Sequence, residues 1–483
     1  MPRPKVKYNP AIAYIPIVFL IIDELVKGTG LVADKIRCFY HQLFMQRLND
    51  SKSDKVIKTA KYKGGWVSLS SVLLMRLLTP EYKKYLDFLE ENGLLIVRRN
   101  TDTGNLIYSR NGSSAQYKIP EKFLRKEGSI RHYRKEIITD HTTLKAIHKV
   151  KESFRTKATI GKNLLLEPIH EKLIDMVNQV RFDIPNAENF LSKVASGEIK
   201  VRETKSGIDR NYSDILLRLE AINDGQFRIC KVDKFGNRLH TSASNLWKEL
   251  RPFMYFNGLE HKRLIALDLA NSQPYFSSIA INPKLIAEIL PEFAVCVPLV
   301  EPLKQKPDFK RFAELCAKGK IYEHWQSIRK LQDRAVAKEE IFQLMFGTNK
   351  IWKGSPKSVF KQYFPSVHQC FATIKSLTQI QLPFIKDVFL TSAGVFDRKA
   401  YHKNLSCMMQ RMESRIVLGR IAPKLIAEGI SPFVTVHDSF IILAEHEKKV
   451  REIINAEIEL LEVTPPVIKT EILTFRNKNI QHQ

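Results

Sequence analysis

The sequence predicts an α+β chain: a basic N-terminal half of helices with a small sheet, then a C-terminal half built from apolar strands and one long helix. Three stretches predict it. Residues 331–347, LQDRAVAKEEIFQLMFG, have no proline or internal glycine and end at Gly347, which predicts an α-helix closed by a glycine. HKRLIALDLANSQPYFSS opens with an apolar strand that ends at Asp268, and SPFVTVHDSFIILAE reads as a β-hairpin joined at Val436, His437, Asp438 and Ser439. Upstream, residues 65–120 alternate helical and strand patterns. At 483 residues with 44% hydrophobic content the chain has room for two or three domains with real cores, which excludes a disordered protein.

Residues 1–50 carry one or two apolar helical patterns. The run at 11–22 contains Pro16 and meets Asp23 and Glu24 without a small-residue cleavage site, so it reads as a buried helix or strand rather than a signal peptide or membrane span. VSLSSVLLMRLL predicts a helix. TPEYKKYLDFLEENG predicts a second, with Thr79 as N-cap, Pro80 at its first position and Gly93 at its end. LLIVRRN, the turn TDTGN, the loop SRNGSSA and QYKIP then give strand, turn and returning strand. This order resembles a winged-helix module, whose second helix would enter a major groove while the wing touches phosphates; such modules also bind proteins. Residues 130–225 are polar and Lys-rich with helical patterning, suited to lining a duplex or to a solvated linker.

The formal charge of +26, with 77 Lys and Arg against 51 Asp and Glu, points to a polyanionic partner, nucleic acid before a lipid surface, with solubility as the plain alternative. Residues 51–160 alone hold 23 Lys and Arg against 11 Asp and Glu, which concentrates the charge on the N-terminal module. Six scattered cysteines form no CxxC pair and no zinc-finger spacing. They read as thiols of a reducing compartment, and the expected location is cytoplasmic.

Within 331–347, Arg334, Lys338, Phe342 and Phe346 recur every four residues, placing two cations and two rings along one side over roughly 18 Å. A surface helix also shows a charged stripe beside an apolar one. That side could equally hold a nucleoside triphosphate, the cations on phosphates and the rings on sugar and base. Asp268 and Asp438 end strands 170 residues apart and would meet in one sheet. Single strand-end aspartates usually serve turns. A pair facing a basic helix is what nucleotidyl transfer needs, because two Mg²⁺ ions must be bridged there.

With these stretches in order, the chain resembles the family A polymerases, bacterial DNA polymerase I and its phage and single-subunit RNA polymerase relatives. GNRLHTSASNL is similar to their TGRLSS...NL motif and ALDLANSQP to motif A, DYSQIE. RAVAKEEIFQLMFG matches the spacing of motif B, RxxxKxxxFxxxYG, with Phe346 for Tyr, and TVHDSF matches motif C, VHD. The resemblance covers roughly residues 230–445. It implies a right-hand polymerase layout: palm and fingers in 226–483, a helical thumb-like region in 131–225, a winged-helix-like module in 51–130 and a helical segment in 1–50. It also implies roles for residues. Asp268 and Asp438 would bind two Mg²⁺ ions with the Leu269 carbonyl. Arg334 and Lys338 would hold the triphosphate, Phe342 would pack on its sugar, and Phe346 would take the templating position. His437 would reach the primer terminus and Arg238 the primer-template backbone. Gln410 and Glu413 correspond less closely to a glutamine and an acid on a palm helix, because their spacing to motif C is shorter.

Two departures bear on the product. Gln273 stands where DNA-synthesising members carry the glutamate that gates against a ribose 2′-OH, and Ser439 follows the motif C aspartate as in single-subunit RNA polymerases. Ile341 replaces a usual asparagine without a physical account. The expected function is a DNA polymerase working on a primer-template, without proofreading since residues 1–225 hold no persuasive carboxylate cluster, and of phage, plasmid or mobile-element type. The alternatives are a single-subunit RNA polymerase and a DNA-binding replication or defence protein with an inactive palm. Other replication proteins are possible partners.

Overall fold

The computed structural model describes residues 8–18, 21–50, 65–106, 114–160, 167–201, 211–227, 229–391 and 394–473, and not the side chains of 49–50 and 151–160. The fold is mixed α+β and divides into two compact units, one formed by residues 1–163 and 181–227, the other by 164–180 and 228–483.

The first unit opens with strand β1 (Ala11–Pro16), so the early apolar run is extended, not helical. Helix α1 (Ala33–Asp50) follows, then β2 (Val67–Ser70), α2 (Ser71–Leu77), α3 (Tyr82–Glu91), β3 (Ile96–Val97), β4 (Ser114–Lys118), β5 (Tyr133–Ile138), α4 (His141–Ile160), α5 (Ile184–Ala195) and α6 (Tyr212–Asn223). β2, β4 and β3 form an antiparallel sheet with β4 in the middle. The helix expected over VSLSSVLLMRLL is thus divided. Val67 and Leu69 alternate inward and pair with Tyr117 and Ala115, and only from Ser71 does the helical period take over. The second helix starts at Tyr82 with Glu81 as N-cap, which leaves Thr79 and Pro80 outside it; Gly93, at φ +65°, ends it as expected. Residues 107–113, most of the SRNGSSA loop, lie outside the described residues.

β5 hides in the stretch read as helical. Its charged residues Arg134, Lys135 and Glu136 mask a strand whose ends, Tyr133 and Ile138, are buried and which pairs residue for residue with β1. Behind the pair lies a core of Tyr14, Phe39, Tyr40, Phe44 and Tyr133. Tyr40 donates to the Leu94 carbonyl at 2.7 Å, which meets the cost of burying its hydroxyl. Arg131 makes a two-pronged pair with Glu188 at 2.6 Å and a third bond to buried Glu220 at 2.5 Å.

In the second unit the hairpin β6 (Cys230–Val232) and β7 (Leu239–Thr241) precedes β8 (Leu264–Leu269), α7 (Ser272–Ala280), α8 (Ile321–Arg329), α9 (Arg334–Phe346), α10 (Pro356–Tyr363), α11 (Asn404–Ile416), β9 (Val434–Val436), β10 (Ser439–Leu443) and β11 (Ile468–Leu473). The four-stranded antiparallel sheet runs β9, β10, β8, β11. LIALDL is apolar at every position but Asp268, as suits a strand flanked on both sides. α9 is the helix expected at 331–347. Asp333 caps it by accepting from Ala335 N at 2.8 Å. Gly347 closes it in extended conformation at φ −81°, not left-handed. Glycine is required there because a Cβ would lie 2.6 Å from the Gln343 carbonyl. Among the described residues no helix is long and apolar enough to cross a membrane, and all six cysteines are free.

Candidate active site at the strand ends

Asp268 lies opposite Ser439 in the β8–β10 register, one residue from Asp438. Neighbouring strands lie about 4.8 Å apart, so the two carboxylates come from adjacent positions. The turn between β9 and β10 is tight, with His437 at φ +57°, a left-handed conformation that histidine adopts more readily than bulkier or β-branched residues. Asp268 and Asp438 line one cavity of about 340 Å³ with Arg334, Lys338 and Phe342 of α9. Gln273, from the first turn of α7, lines it as well.

Burial first, and then the charge of Asp438, pushes the Asp268 carboxyl up to about 6. Burial raises Asp438 too, opposed by a hydrogen bond with the Ser272 side chain. Carboxyls raised in this way would be relieved by a positive ligand. The donor set suits Mg²⁺, which takes one or two carboxylates with substrate oxygens. Backbone geometry adds a third oxygen. Arg263 O accepts from Ala444 N on the β10 side, and Ala270 N donates to Val467 O on the β11 side. Groups on a strand alternate sides, so the Leu269 carbonyl faces the hairpin that carries Asp438. Among the described residues no group of three or more His, Cys, Asp or Glu side chains stands ready for a metal, here or elsewhere.

Across the same cavity, the Arg334 guanidinium donates to Glu323 at 2.7 Å and to the Asn271 side-chain Oδ1 at 3.2 Å, and lies 5.0 Å above the Tyr322 ring. Lys338 sits 5.4 Å from the centre of the Phe342 ring. Phe346 meets Phe342 edge-on at 5.5 Å and does not line the cavity. α9 is itself held by Glu340, which accepts from the Trp325 indole at 2.8 Å and from Arg329 at 3.1 Å.

A buried network lies beside the cavity. Arg238 pairs with Glu413 through Nε and Nη2 at 2.8 and 2.7 Å, and Gln273 donates its amide to Glu413 at 2.8 Å. Burial pushes Glu413 up to about 7 against the pull of Arg238. The Arg238 side chain expected on a nucleic-acid backbone is therefore committed to an internal carboxylate, because Glu413, 1% exposed, would otherwise lack a counter-charge. Asp233 accepts from Gly236 N, Arg238 N and His240 Nε2, which ties the β6–β7 loop together. The His240 ring meets that of His437 edge-on at 5.6 Å. Burial, then the nearby Arg238, holds His437 down to about 4, and its Nδ1 is buried with no partner among the described residues. Gln410 packs under Gly236, whose Cβ would lie 2.7 Å from it, and does not line the cavity.

Sequence reasoning missed several neighbours. Tyr322 and Lys469 line the cavity, Lys469 directly across from Asp268 on β11, and Asn271 and Glu323 orient Arg334. Only Asn271 left a trace, in the polar NSQ after an apolar strand.

No family model matches the chain, and no curated protein matches it. Among solved structures it is similar to the POL domain of Pol1 from M. smegmatis in complex with DNA primer-template and dNTP, at 10% sequence identity and a TM-score of 0.33, over 68% of this chain and 73% of that one.

Proposed function

We propose that the chain is a template-directed DNA polymerase that adds deoxynucleotides to a primer 3′-hydroxyl. The observation that carries the reading is Asp268 on β8 beside Asp438 in the β9–β10 turn, lining one cavity with Arg334 and Lys338. Asp268, Asp438 and the Leu269 carbonyl would hold two Mg²⁺ ions, which when bound supply Lewis-acid activation of the hydroxyl and charge neutralisation on the leaving pyrophosphate. Arg334 and Lys338, at the positive end of the α9 dipole, hold the triphosphate with its α-phosphate toward the carboxylates. The 3′-oxygen forms its bond to that phosphorus as the bond to pyrophosphate breaks. Phe342 packs on the sugar. Gln273, tied to Glu413, fills the space a 2′-hydroxyl would need, and this favours deoxynucleotides over the ribonucleotides that Ser439 would suggest. His437, whose Nδ1 is buried with no partner among the described residues, would face the primer terminus, and Arg238, held through Nε and Nη2, would keep Nη1 for the backbone.

Residues 51–130, within the first unit, are proposed as a winged-helix-like nucleic-acid-binding module. Support comes from the order β2, α2, α3, β3, β4 with β4 central, and from the basic composition of the segment. The activity is tested by extension of a labelled primer-template with dNTPs and with NTPs, in Mg²⁺ and in EDTA. Mg²⁺-dependent extension with dNTPs is expected. Extension with NTPs alone would make it an RNA polymerase. No extension with either, and unchanged biological activity in Asp268→Ala and Asp438→Ala, would leave a binding protein.

A further inference from the structure

The first unit holds a cavity of about 250 Å³ that the polymerase chemistry does not use. Part of its lining is apolar: Leu43 and Phe44 of α1, Val67 of β2 and Ile119 just beyond β4, all buried, with half-buried Leu124. The rest is mainly cationic. Arg47 of α1, Lys118 at the end of β4 and Arg125, just after the short turn Glu121–Phe123, reach it from three separate elements, together with His132. Glu121 is the one acid among the described residues that lines it.

These cations are incompletely paired. Among the described residues Arg47 is bonded through Nε alone, to Asp214 at 2.8 Å. Lys118 and Arg125 come no closer to Glu121 than 3.7 and 3.6 Å, beyond hydrogen-bond reach. His132 is held by its backbone, its N–H donating to the Ser213 hydroxyl at 2.9 Å and its carbonyl accepting from Ile17 N at 3.1 Å. Its ring Nδ1 is buried with no partner among the described residues, a cost that native folds seldom leave unmet. Burial, then the charge of Arg47, with Arg125 also contributing, holds that ring below the usual histidine range, as two guanidinium groups close to it require.

A surface that only tracks a nucleic-acid backbone does not account for this arrangement. Such a surface is open and its cations stand in water, whereas the side chains of Arg47 and Lys118 are 25% and 24% exposed and share a concave wall with buried Leu43 and Phe44. Three cations arriving from separate elements suit a tetrahedral head with three free oxygens. A planar carboxylate would be held side by side by one guanidinium.

We propose that this cavity binds a small organic phosphate monoester, its apolar body against Leu43, Phe44 and Leu124 and its phosphate oxygens on Arg47, Lys118 and Arg125. A free organophosphate and the phosphorylated 5′ end of a nucleic-acid strand present this same chemistry. None of the residues involved takes part in the polymerase chemistry, so the two readings stand or fall separately.

The test is calorimetric titration of the full chain with phenyl phosphate, phenol and inorganic phosphate. Phenyl phosphate is expected to bind at least about tenfold more tightly than either part alone. The double variant Lys118→Gln, Arg125→Gln should weaken it by about tenfold or more, and Leu124→Trp, which fills the apolar part, should abolish it, both with unchanged circular dichroism. Equal affinity in the double variant and the parent would overturn the proposal. So would phenol binding as tightly as its phosphate, or no binding of phenyl phosphate. A second arm compares oligothymidine of about ten nucleotides with and without a 5′ phosphate by fluorescence anisotropy. A gain from the phosphate that Leu124→Trp removes would make the strand end the ligand; phenyl phosphate binding without such a gain would make it a free organophosphate.

Discussion

Two clusters of charge, one in each unit, are built on opposite plans. In the first unit Arg131, Lys135, Glu188, Glu220 and Asp224 alternate in sign. Arg131 bonds both glutamates, and Lys135 lies 3.1 Å from Glu220 and 2.9 Å from Asp224, which also accepts from the Tyr14 hydroxyl at 2.6 Å. Every charge has an opposite neighbour, so the cluster can be understood as architecture. At the strand ends of the second unit two acids stand together, both raised by burial and Asp268 also by the charge of Asp438, while Arg334 is turned toward Glu323 and Lys338 toward an aromatic ring. The two acids share their cavity with Arg334, Lys338 and Lys469, yet among the described residues neither is in a direct ion pair, an arrangement that marks a candidate functional site.

The sharpest way to break this contrast is to remove an acid from each cluster. Asp438→Ala should cost on the order of a hundred- to a thousandfold in primer extension while leaving the thermal midpoint equal or higher, since it relieves repulsion. A clear fall in midpoint would place Asp438 among the structural charges. Glu220→Ala should do the opposite, lowering stability by about 3 kcal/mol in urea unfolding because two cations lose their buried partner. A loss indistinguishable from zero would show that the first cluster is not what holds its unit together.

A lone buried cation supplies an intermediate case. Lys375, 3% exposed, donates to the Leu344 and Gly347 carbonyls at the end of α9, and burial pushes it down to about 7 from an ordinary 10.5. Between those values the unfolded chain holds a proton that the folded chain has released, so stability should rise with pH across about 7 to 10.5, by at most about 1.4 kcal/mol per unit. Lys375→Met should flatten that rise in pH-dependent unfolding; an unchanged slope would assign it to other groups. The smallest effect is expected at Gln273. Its replacement by alanine should reduce discrimination between dNTPs and NTPs by roughly tenfold in kcat/KM, with midpoint little changed. An unaltered ratio would mean that sugar selection lies elsewhere.

Legibility followed locality. α9 and its four-residue spacing were readable because a helix declares its faces within one segment, and the β9–β10 hairpin because its turn is local. β5 was not, since its alternation of charges matched a solvated helix until β1 came to pair with it. β2 was lost for the same reason, its four residues merging into the apolar run of α2. The commitment of Arg238 to Glu413 had no trace in sequence, because the two stand 175 residues apart and each looks like a surface charge alone.

By itself the sequence determined the chemical inventory: which residue types occur, in what order, and how cations and rings lie along one helix, all governed by bonds a few residues long. Tertiary structure decided which of them meet. It set Asp268 beside the turn carrying Asp438, placed Lys469 across the same strand, and turned Gln273 and Arg238 onto one buried carboxylate. The physical reason is register, since strand partners are chosen by the whole core they bury and a slip of one residue would send Asp268 or Lys469 to the other face.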